Sequence, residues 1–188
     1  MKTFFVAIAF LAILASASAQ TSNYYNDSLY TIQQDVKIPM KDGIRLSAVV
    51  IRHKADTMPV PVMLMISCYP RDDEWRSIQF YLRKGMAGVL VHARGKAKSE
   101  GVFKPFEDEA TDNYEVIDWI SKQGWCNGGI GMYGGSYLGF AQWATCKKMH
   151  PALKTIVPMV AVAPGIDYPM HNNVFMSYML RWINKSVV

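Results

Sequence analysis

Continuous apolar runs alternate along this chain with segments in which apolar residues recur at helical spacing, and this alternation limits the possible folds more than any other feature. The runs typical of strands buried on both faces are residues 61–67 and 87–91, and residues 130–133 and 155–162 are two further strand-like runs. The segments with near-helical spacing are residues 74–84, 110–123 and 137–148. This order predicts an α/β fold, with a mostly parallel sheet and helices on both of its faces.

An antiparallel hairpin is predicted before the first of these buried strands. Asp42 and Gly43 form a turn signal between two strand-like runs, residues 36–40 and 44–51. The polar residues 20–35 that precede the hairpin are expected to form an extended arm. The 188 residues are 51% hydrophobic and 19% charged, which suits a single globular domain and argues against a disordered chain.

The N-terminus has the three parts of a secretory signal peptide. Lys2 supplies the positive charge, residues 4–15 form an uncharged apolar run, and Ala17 and Ala19 are the small residues expected before a cleavage site. The apolar run is shorter than the roughly 20 residues that a membrane-spanning helix needs. Residues 1–19 are therefore predicted to be a cleaved signal peptide, so the mature chain is expected to be secreted or periplasmic, without membrane attachment.

Charge and cysteine content exclude several classes of function. Loss of Lys2 leaves 19 basic and 15 acidic residues, a net charge of +4, and the basic residues form no stripe, so no nucleic-acid partner is expected. Cys68, Cys126 and Cys146 lack the spacing of a zinc site, and no metal is predicted. Buried free thiols are expected, with one disulfide as the alternative in an oxidising compartment.

A serine stands at the turn between the predicted strand 130–133 and the helix that follows it. Ser136 lies between Gly134 and Gly139, with Tyr137 as its next neighbour. A strand–turn–helix elbow forces strained backbone angles, needs small neighbours such as these glycines, and exposes the serine hydroxyl as a nucleophile. The backbone amide of Tyr137 then faces a developing oxyanion. The alternative is a glycine-rich turn with an inert serine.

The glycines of residues 129–134 also match the Gly-x-Gly-x-x-Gly pattern of dinucleotide-binding sites. They straddle the predicted strand, whereas phosphate binding needs them after the strand, where a helix begins. No acidic residue follows about 20 positions later at the end of a next strand, as that pattern requires. A dinucleotide site is therefore not predicted.

Longer motifs around the elbow resemble one family. Residues 134–139 (GGSYLG) resemble the Gly-x-Ser-Tyr-x-Gly elbow of the group that contains X-prolyl dipeptidyl peptidase, cocaine esterase and α-amino-acid ester hydrolase. Three further segments resemble that group: the hairpin 38–46, the Arg-Gly…Ser-Glu-Gly loop 94–101, and the helix and turn 118–128. Together these motifs are far more specific than the elbow alone.

The resemblance implies an α/β-hydrolase fold, of which residues 36–168 would form the N-terminal part and residues 169–188 the start of a helical cap. It implies Ser136 as the nucleophile and an oxyanion hole formed by the Tyr69 hydroxyl and the Tyr137 amide, since a phenol can donate one strong hydrogen bond to a forming alkoxide. The family usually has Pro-Tyr-x-Lys where this chain has Cys-Tyr-Pro-Arg around Tyr69.

Three residues near the predicted strand ends have weaker assignments. His92 stands where the family commonly has Asp, and a role as general base conflicts with the Ser, acid, His order of this fold, so a hydrogen-bonded strand-end histidine is expected. Arg94 is expected to bond loop carbonyls or an acid such as Glu100. Asp167 is a candidate contact for a substrate ammonium in the amino-acid-ester branch, with loop capping as the alternative.

A serine hydrolase also needs a base and an acid to orient it, and no acid–histidine pair in the expected order follows Ser136. Members of the family are much longer. We therefore expect the chain to be an inactive N-terminal fragment of a secreted serine hydrolase. The full-length enzyme is expected to cleave a small ester or amide, or a short peptide, through an acyl-Ser136 intermediate. A natural short pseudoenzyme is the alternative for this chain.

Two other functions stay open on the sequence. One is a catalytically dead secreted binding protein on a hydrolase scaffold, and the other is an acyltransferase that passes the acyl group to an amine or alcohol. The family's cap distinguishes peptidase, esterase and acylase, so the sequence does not choose among them. It implies no cofactor and predicts no particular oligomeric state.

Overall fold

A six-stranded mixed sheet forms the centre of the computed structural model, which describes residues 27–69, 71 and 74–186. Its strands are β1 (Tyr30–Pro39), β2 (Arg45–His53), β3 (Val60–Ser67), β4 (Ala87–His92), β5 (Cys126–Gly135) and β6 (Leu153–Met159), in the spatial order β1-β2-β4-β3-β5-β6. The strands β3, β4, β5 and β6 are parallel, and β1 and β2 form the antiparallel hairpin at one edge. The predicted mostly parallel sheet opened by a hairpin is confirmed.

Helices cover both faces of this sheet. They are α1 (Gln79–Leu82, which continues a 3₁₀ turn, Glu74–Ile78), α2 (Glu109–Ser121), α3 (Tyr137–Thr145, which continues into a 3₁₀ turn, Cys146–Lys148) and α4 (Tyr178–Ser186). A two-stranded hairpin, β7 (Met170–His171) and β8 (Val174–Phe175), precedes α4. Within the described residues, none of these helices has the length and apolar character to cross a membrane.

Alternating residues of the strands feed two cores. Leu64 of β3 and Ile117 of α2 are fully buried in the larger core, on the face that α2 and α3 cover. Met65, the neighbour of Leu64, points to the smaller core with Ile78 and Leu82 beside α1. Burying one such side chain contributes about 1.5–3 kcal/mol relative to leaving it exposed. The near-continuous apolar runs of β3 and β4 therefore reflect strands that are buried on both faces, whereas β6, at the other edge of the sheet, is largely exposed.

Several elements differ from the prediction at their ends. Strand β1 begins at Tyr30, inside the segment 20–35 predicted as an arm, because its N-terminal half pairs with β2 as far as His53. As an edge strand it exposes polar residues on its open side, which a search for apolar runs does not detect. The predicted helix 74–84 is mostly a 3₁₀ turn, and the small hairpin before α4 was not predicted.

The predicted signal peptide, residues 1–19, and residues 20–26 of the predicted arm lie outside the described residues. The three cysteines are free thiols, with Cys68 and Cys126 buried and Cys146 partly exposed. This agrees with the predicted free thiols rather than with the alternative of a disulfide.

Candidate active site at the strand–helix turn

Ser136 occupies the sharp turn that leads from β5 into α3. Its backbone has φ 57° and ψ −121°, a conformation that is strained for a residue with a side chain. Its amide donates to the Met159 carbonyl at 3.0 Å, and its own carbonyl accepts from the amides of Gly139 and Phe140 at 2.9 and 3.0 Å. The residue is exposed although its neighbour Tyr137 is buried, so the turn presents the hydroxyl to solvent.

The glycines on either side leave no room for a side chain. A Cβ on Gly134 would lie 2.5 Å from the Leu138 Cβ, and Gly134 also has a φ of +146°. A Cβ on Gly139 would lie 2.9 Å from both the Met159 carbonyl oxygen and the Ala161 Cβ. The elbow therefore depends on close approach of α3 to β5 and to the chain after β6, and only glycine permits it at these two positions.

Gln142, which is fully buried on α3, holds the turn from behind. Its amide nitrogen donates to the carbonyls of Gly134 and Leu138, each at 3.0 Å, and its amide oxygen accepts from the Val157 amide at 2.8 Å. One side chain thus ties together the end of β5, the start of α3 and the middle of β6. The sequence analysis did not single out Gln142, since only the fold shows which backbone groups it reaches.

Tyr69 follows β3 and lies beside Ser136. Its phenol oxygen accepts a hydrogen bond from the Trp182 indole at 3.1 Å, and its backbone amide donates to the Ser67 hydroxyl at 3.0 Å. Burial raises the pKa of Tyr69, while hydrogen bonds with the side chains of Trp182 and Ser136 partly offset that rise. The phenol therefore keeps its proton at neutral pH and can donate it in a hydrogen bond at the serine.

The side chain of Tyr137 points into the protein interior and contacts the buried carboxyl group of Glu109. Its hydroxyl donates to Glu109 at the start of α2, and the Phe106 amide donates to the Tyr137 hydroxyl at 3.3 Å. Burial raises the pKa of Glu109 to about 7. The second carboxylate oxygen of Glu109 is buried with no hydrogen-bond partner among the described residues. The predicted oxyanion amide thus belongs to a residue that is anchored by its own side chain.

An aromatic cluster connects the elbow to α4. It consists of Phe103, Phe106, Tyr137, Phe140, Tyr168 and Trp182. The Trp182 ring stacks on Tyr137 with centroids 5.8 Å apart and an interplanar angle of 24°. Because Trp182 also donates to Tyr69, this single residue contacts both predicted sources of the oxyanion hole. Neither Trp182 nor Glu109 carried a signal in the sequence that pointed to these contacts.

His92 does not lie next to Ser136. It pairs with Ser67 at the end of β4, and β3 separates β4 from β5, so two strand spacings of about 4.8 Å intervene. Burial lowers the pKa of His92, and its Nδ1 has no hydrogen-bond partner among the described residues. The expected hydrogen bonding is therefore not observed at that nitrogen.

Two other histidines lie near the N-terminal ends of the parallel strands, at the end of the sheet opposite to Ser136. His53 ends β2, which runs antiparallel to β4, so it lies where the parallel strands begin. His150 comes just before β6 and contacts Asp118 on α2, with 3.6 Å between the two side chains. Ser136 lies where the parallel strands end. His171 is exposed on the small hairpin before α4.

Asp167 and Arg94 have local partners. The Asp167 carboxylate accepts from the Ala163 amide at 2.7 Å, which is the loop-capping alternative. Arg94 binds Asp112 through two hydrogen bonds of 3.0 and 2.6 Å and Asp42 through one of 2.5 Å. Arg94 therefore bonds acids, as one of its two expected kinds of partner, but Glu100, the acid given as the example, binds Arg45 instead.

No group of three or more His, Cys, Asp or Glu residues in the described part of the chain is arranged to hold a metal ion. The described site thus offers an exposed hydroxyl on a strained turn, a protonated phenol beside it and a helix N-terminus behind it. This arrangement suits the stabilisation of an oxyanion next to a serine.

Known proteins are similar to this chain in both sequence and fold. Residues 42–187 match the X-Pro dipeptidyl-peptidase (S15) family. The cocaine esterase of Rhodococcus sp. (strain MB1 Bresler) is 38% identical over 143 residues, and the match covers 73% of this chain. A Xaa-Pro dipeptidyl-peptidase of Lactobacillus delbrueckii subsp. bulgaricus is 31% identical over 106 residues, which is 48% of this chain.

Solved structures of proteins from this group superpose on the chain. An α-amino acid ester hydrolase superposes with a TM-score of 0.73 at 27% identity over 87% of this chain, and a CocE/NonD family hydrolase of Staphylococcus aureus with 0.61 at 30% identity over 66%. This chain spans 25% of the cocaine esterase, 13% of the Xaa-Pro dipeptidyl-peptidase and 31% of the α-amino acid ester hydrolase. The resemblance found in the motifs is confirmed, and the chain belongs to the X-Pro dipeptidyl-peptidase (S15) family of hydrolases with the α/β-hydrolase fold.

Proposed function

We propose that this chain carries the nucleophile of a secreted serine hydrolase that cleaves an ester or amide bond through an acyl-Ser136 intermediate. One observation carries the proposal: the exposed hydroxyl of Ser136 lies on a strained turn between β5 and α3, and the Tyr69 phenol lies beside it. The predicted signal peptide supports secretion, and the hydrolase family supports the reaction class.

The reaction begins when the Ser136 oxygen attacks the substrate carbonyl carbon and passes its proton to a general base. The carbonyl oxygen becomes an oxyanion, which the Tyr69 hydroxyl and the Tyr137 amide stabilise. Collapse of the tetrahedral intermediate breaks the bond to the alcohol or amine, which takes the proton from the base and leaves. Water then attacks the acyl-serine while the same base accepts its proton. The bond between the acyl carbon and the Ser136 oxygen breaks, that oxygen takes the proton back from the base, and the acid is released.

We propose that the general base belongs to a part of the full-length enzyme other than these 188 residues, and that the chain by itself turns over no substrate. Three of its histidines lie away from Ser136. His92 is two strand spacings from it, and His53 and His150 lie at the end of the sheet where the parallel strands begin, whereas Ser136 lies where they end. The small fraction of its relatives that the chain spans supports the same view.

The substrate class follows from the relatives as a proposal. The relatives that match this chain are a cocaine esterase, a Xaa-Pro dipeptidyl-peptidase and an α-amino acid ester hydrolase. We propose a small ester or amide, or a short peptide, as the substrate of the full-length enzyme.

An active-site fluorophosphonate probe tests the nucleophile. The full-length enzyme should be labelled at Ser136, and a Ser136→Ala variant should lose the label, whereas the matched variant Ser121→Ala on α2 should keep it. Absence of Ser136-dependent labelling would overturn the proposal and favour a catalytically dead binding protein. Rapid ester hydrolysis by the 188-residue chain would overturn the claim that its base lies elsewhere.

A further inference from the structure

A groove opens directly beside Tyr69, between the loop after β3 and helix α4. Its volume is about 610 Å³, which is large enough for a small organic ligand. The described residues that line it are Tyr69, Arg71, Tyr178, Arg181, Trp182, Lys185 and Ser186. Since Tyr69 interacts with the Ser136 side chain, a ligand in this groove would lie next to the proposed nucleophile.

The described lining of the groove carries three cations and no acid. Arg181 and Lys185 are four residues apart on α4, so they share one face of the helix, and Arg71 contributes from the loop wall. Two like charges at this spacing destabilise a helix slightly. Among the described residues, neither Arg181 nor Lys185 forms an ion pair. The charges of Arg181 and Lys185 are therefore available to a ligand.

The rest of the lining suits a short carbon chain. Tyr178 and Trp182 present aromatic surface on the same side of α4, and Trp182 is held in place by its bond to Tyr69 and by the aromatic cluster. An arginine guanidinium matches the two oxygens of a carboxylate, and a lysine supplies a further point charge. A ligand with a carboxylate at one end and an apolar stem would satisfy both features.

We propose that this groove, which we call the α4 groove, is the subsite for a carboxylate-bearing end of the substrate. The inference rests on the proposed function and adds a substrate class to it: esters or amides that carry a free carboxylate on one side of the scissile bond. In such a compound the carboxylate binds Arg181 and Lys185 while the reacting carbonyl lies at Ser136 and Tyr69.

The test measures binding to the full-length enzyme carrying Ser136→Ala and so needs no turnover. Monomethyl glutarate carries an ester and a carboxylate, and dimethyl glutarate is its neutral counterpart. Titration followed by amide chemical shifts should show monomethyl glutarate moving the resonances of residues 178–186 and binding at least several-fold more tightly than the neutral diester. Equal binding of the two compounds would overturn the proposal.

Charge-neutral variants locate the subsite. The double variant Arg181→Gln with Lys185→Gln should weaken binding of monomethyl glutarate roughly 5- to 10-fold, because each exposed charge contributes a modest amount. Lys147→Gln with Lys154→Gln removes two exposed charges at other elements and should leave the affinity unchanged. Both altered α4 side chains are exposed, so the fold should persist, and unchanged resonances of the sheet check this. Unchanged affinity in the α4 variant would overturn the proposal.

The binding result and the probe-labelling result are independent. Labelling of Ser136 without selective binding of the carboxylate would leave the hydrolase proposal in place and remove the α4 groove as a subsite. Selective binding without Ser136-dependent labelling would instead remove the hydrolase proposal and show a carboxylate-binding protein.

Discussion

The two walls of the candidate site are held in different ways. The elbow wall, with Ser136, is part of the sheet: its backbone is strained, its glycines touch neighbouring backbone, and the buried side chain of Gln142 ties it to β6. The other wall, formed by Tyr69 and α4, is held by side chains. Trp182 donates a hydrogen bond from this helix to Tyr69, and its ring packs on the aromatic cluster.

Because of this difference, we expect the elbow wall to be rigid and the α4 wall to be adaptable. The elbow wall cannot shift without breaking its hydrogen bonds to β6 or moving β5, whose Ile130 and Met132 are buried in the larger core, so the position of the nucleophile follows from the stability of the sheet. The α4 wall exposes Tyr178, Arg181 and Lys185 and can rearrange at lower cost. We expect perturbations of the elbow to be global and perturbations of α4 to be local.

The largest effect is expected from a methyl group at Gly134. Gly134→Ala places a Cβ 2.5 Å from the Leu138 Cβ at a φ of +146°, so we expect a loss of about 4 kcal/mol in the free energy of unfolding. Urea denaturation followed by circular dichroism measures it. Gly124→Ala is the control, because its Cβ would meet nothing within 4 Å, and it should change stability by less than about 0.5 kcal/mol.

The next largest effect is expected from Gln142. Gln142→Leu keeps the volume but leaves the Val157 amide and the Gly134 carbonyl without their side-chain partner, at a cost of about 3 kcal/mol in the free energy of unfolding. Gln123→Leu removes one hydrogen bond from a partly exposed glutamine at the end of α2 and should cost less than about 1 kcal/mol. Equal losses in the two variants would contradict a specific role of Gln142 behind the elbow.

Glu109 should make the stability of the elbow wall depend on pH. Its pKa is raised from 4.5 to about 7 in the folded chain, so folding favours the protonated form. The folded state binds more protons than the unfolded state between these values, and the contribution of Glu109 to stability falls as pH rises from about 4.5 to about 7.

Glu109→Gln should remove this dependence, since a neutral amide can still accept from the Tyr137 hydroxyl. The variant should gain about 3 kcal/mol relative to the parent between pH 4.5 and pH 8. Denaturation at several pH values measures the difference, which also cancels the opposite contribution of His92, whose pKa burial lowers. A difference that is constant with pH would contradict the raised pKa of Glu109.

The smallest effect is expected from Trp182. Trp182→Phe keeps an aromatic ring but removes the hydrogen bond to Tyr69, so we expect a loss of about 1 kcal/mol. Hydrogen exchange should rise in residues 178–186 and stay unchanged in β3 and β5. Trp143→Phe, at an indole that is 56% exposed, should change neither. Faster exchange across the whole sheet would show that the two walls are not separable.

Local patterns of the sequence account for much of this fold. The run of apolar residues in β3 is buried on both faces because a central parallel strand is covered by helices on each side, and that pattern needs no knowledge of partners. The turn that holds Ser136 is equally local, since glycines and a serine between a strand and a helix define it. The start of β1 at Tyr30 was missed because pairing with β2, rather than apolar content, makes that segment a strand.

Tertiary structure decided which side chains meet. Tyr137 and Glu109 are 28 residues apart in sequence, and Tyr69 and Trp182 are 113 apart. Such contacts arise only when helices pack on a common sheet, because the sequence near either residue says nothing about the other. The sequence by itself determined the order of strands and helices, the elbow at Ser136 and the family. The packing of α2, α3 and α4 determined what anchors the elbow and that three cations line a groove beside it.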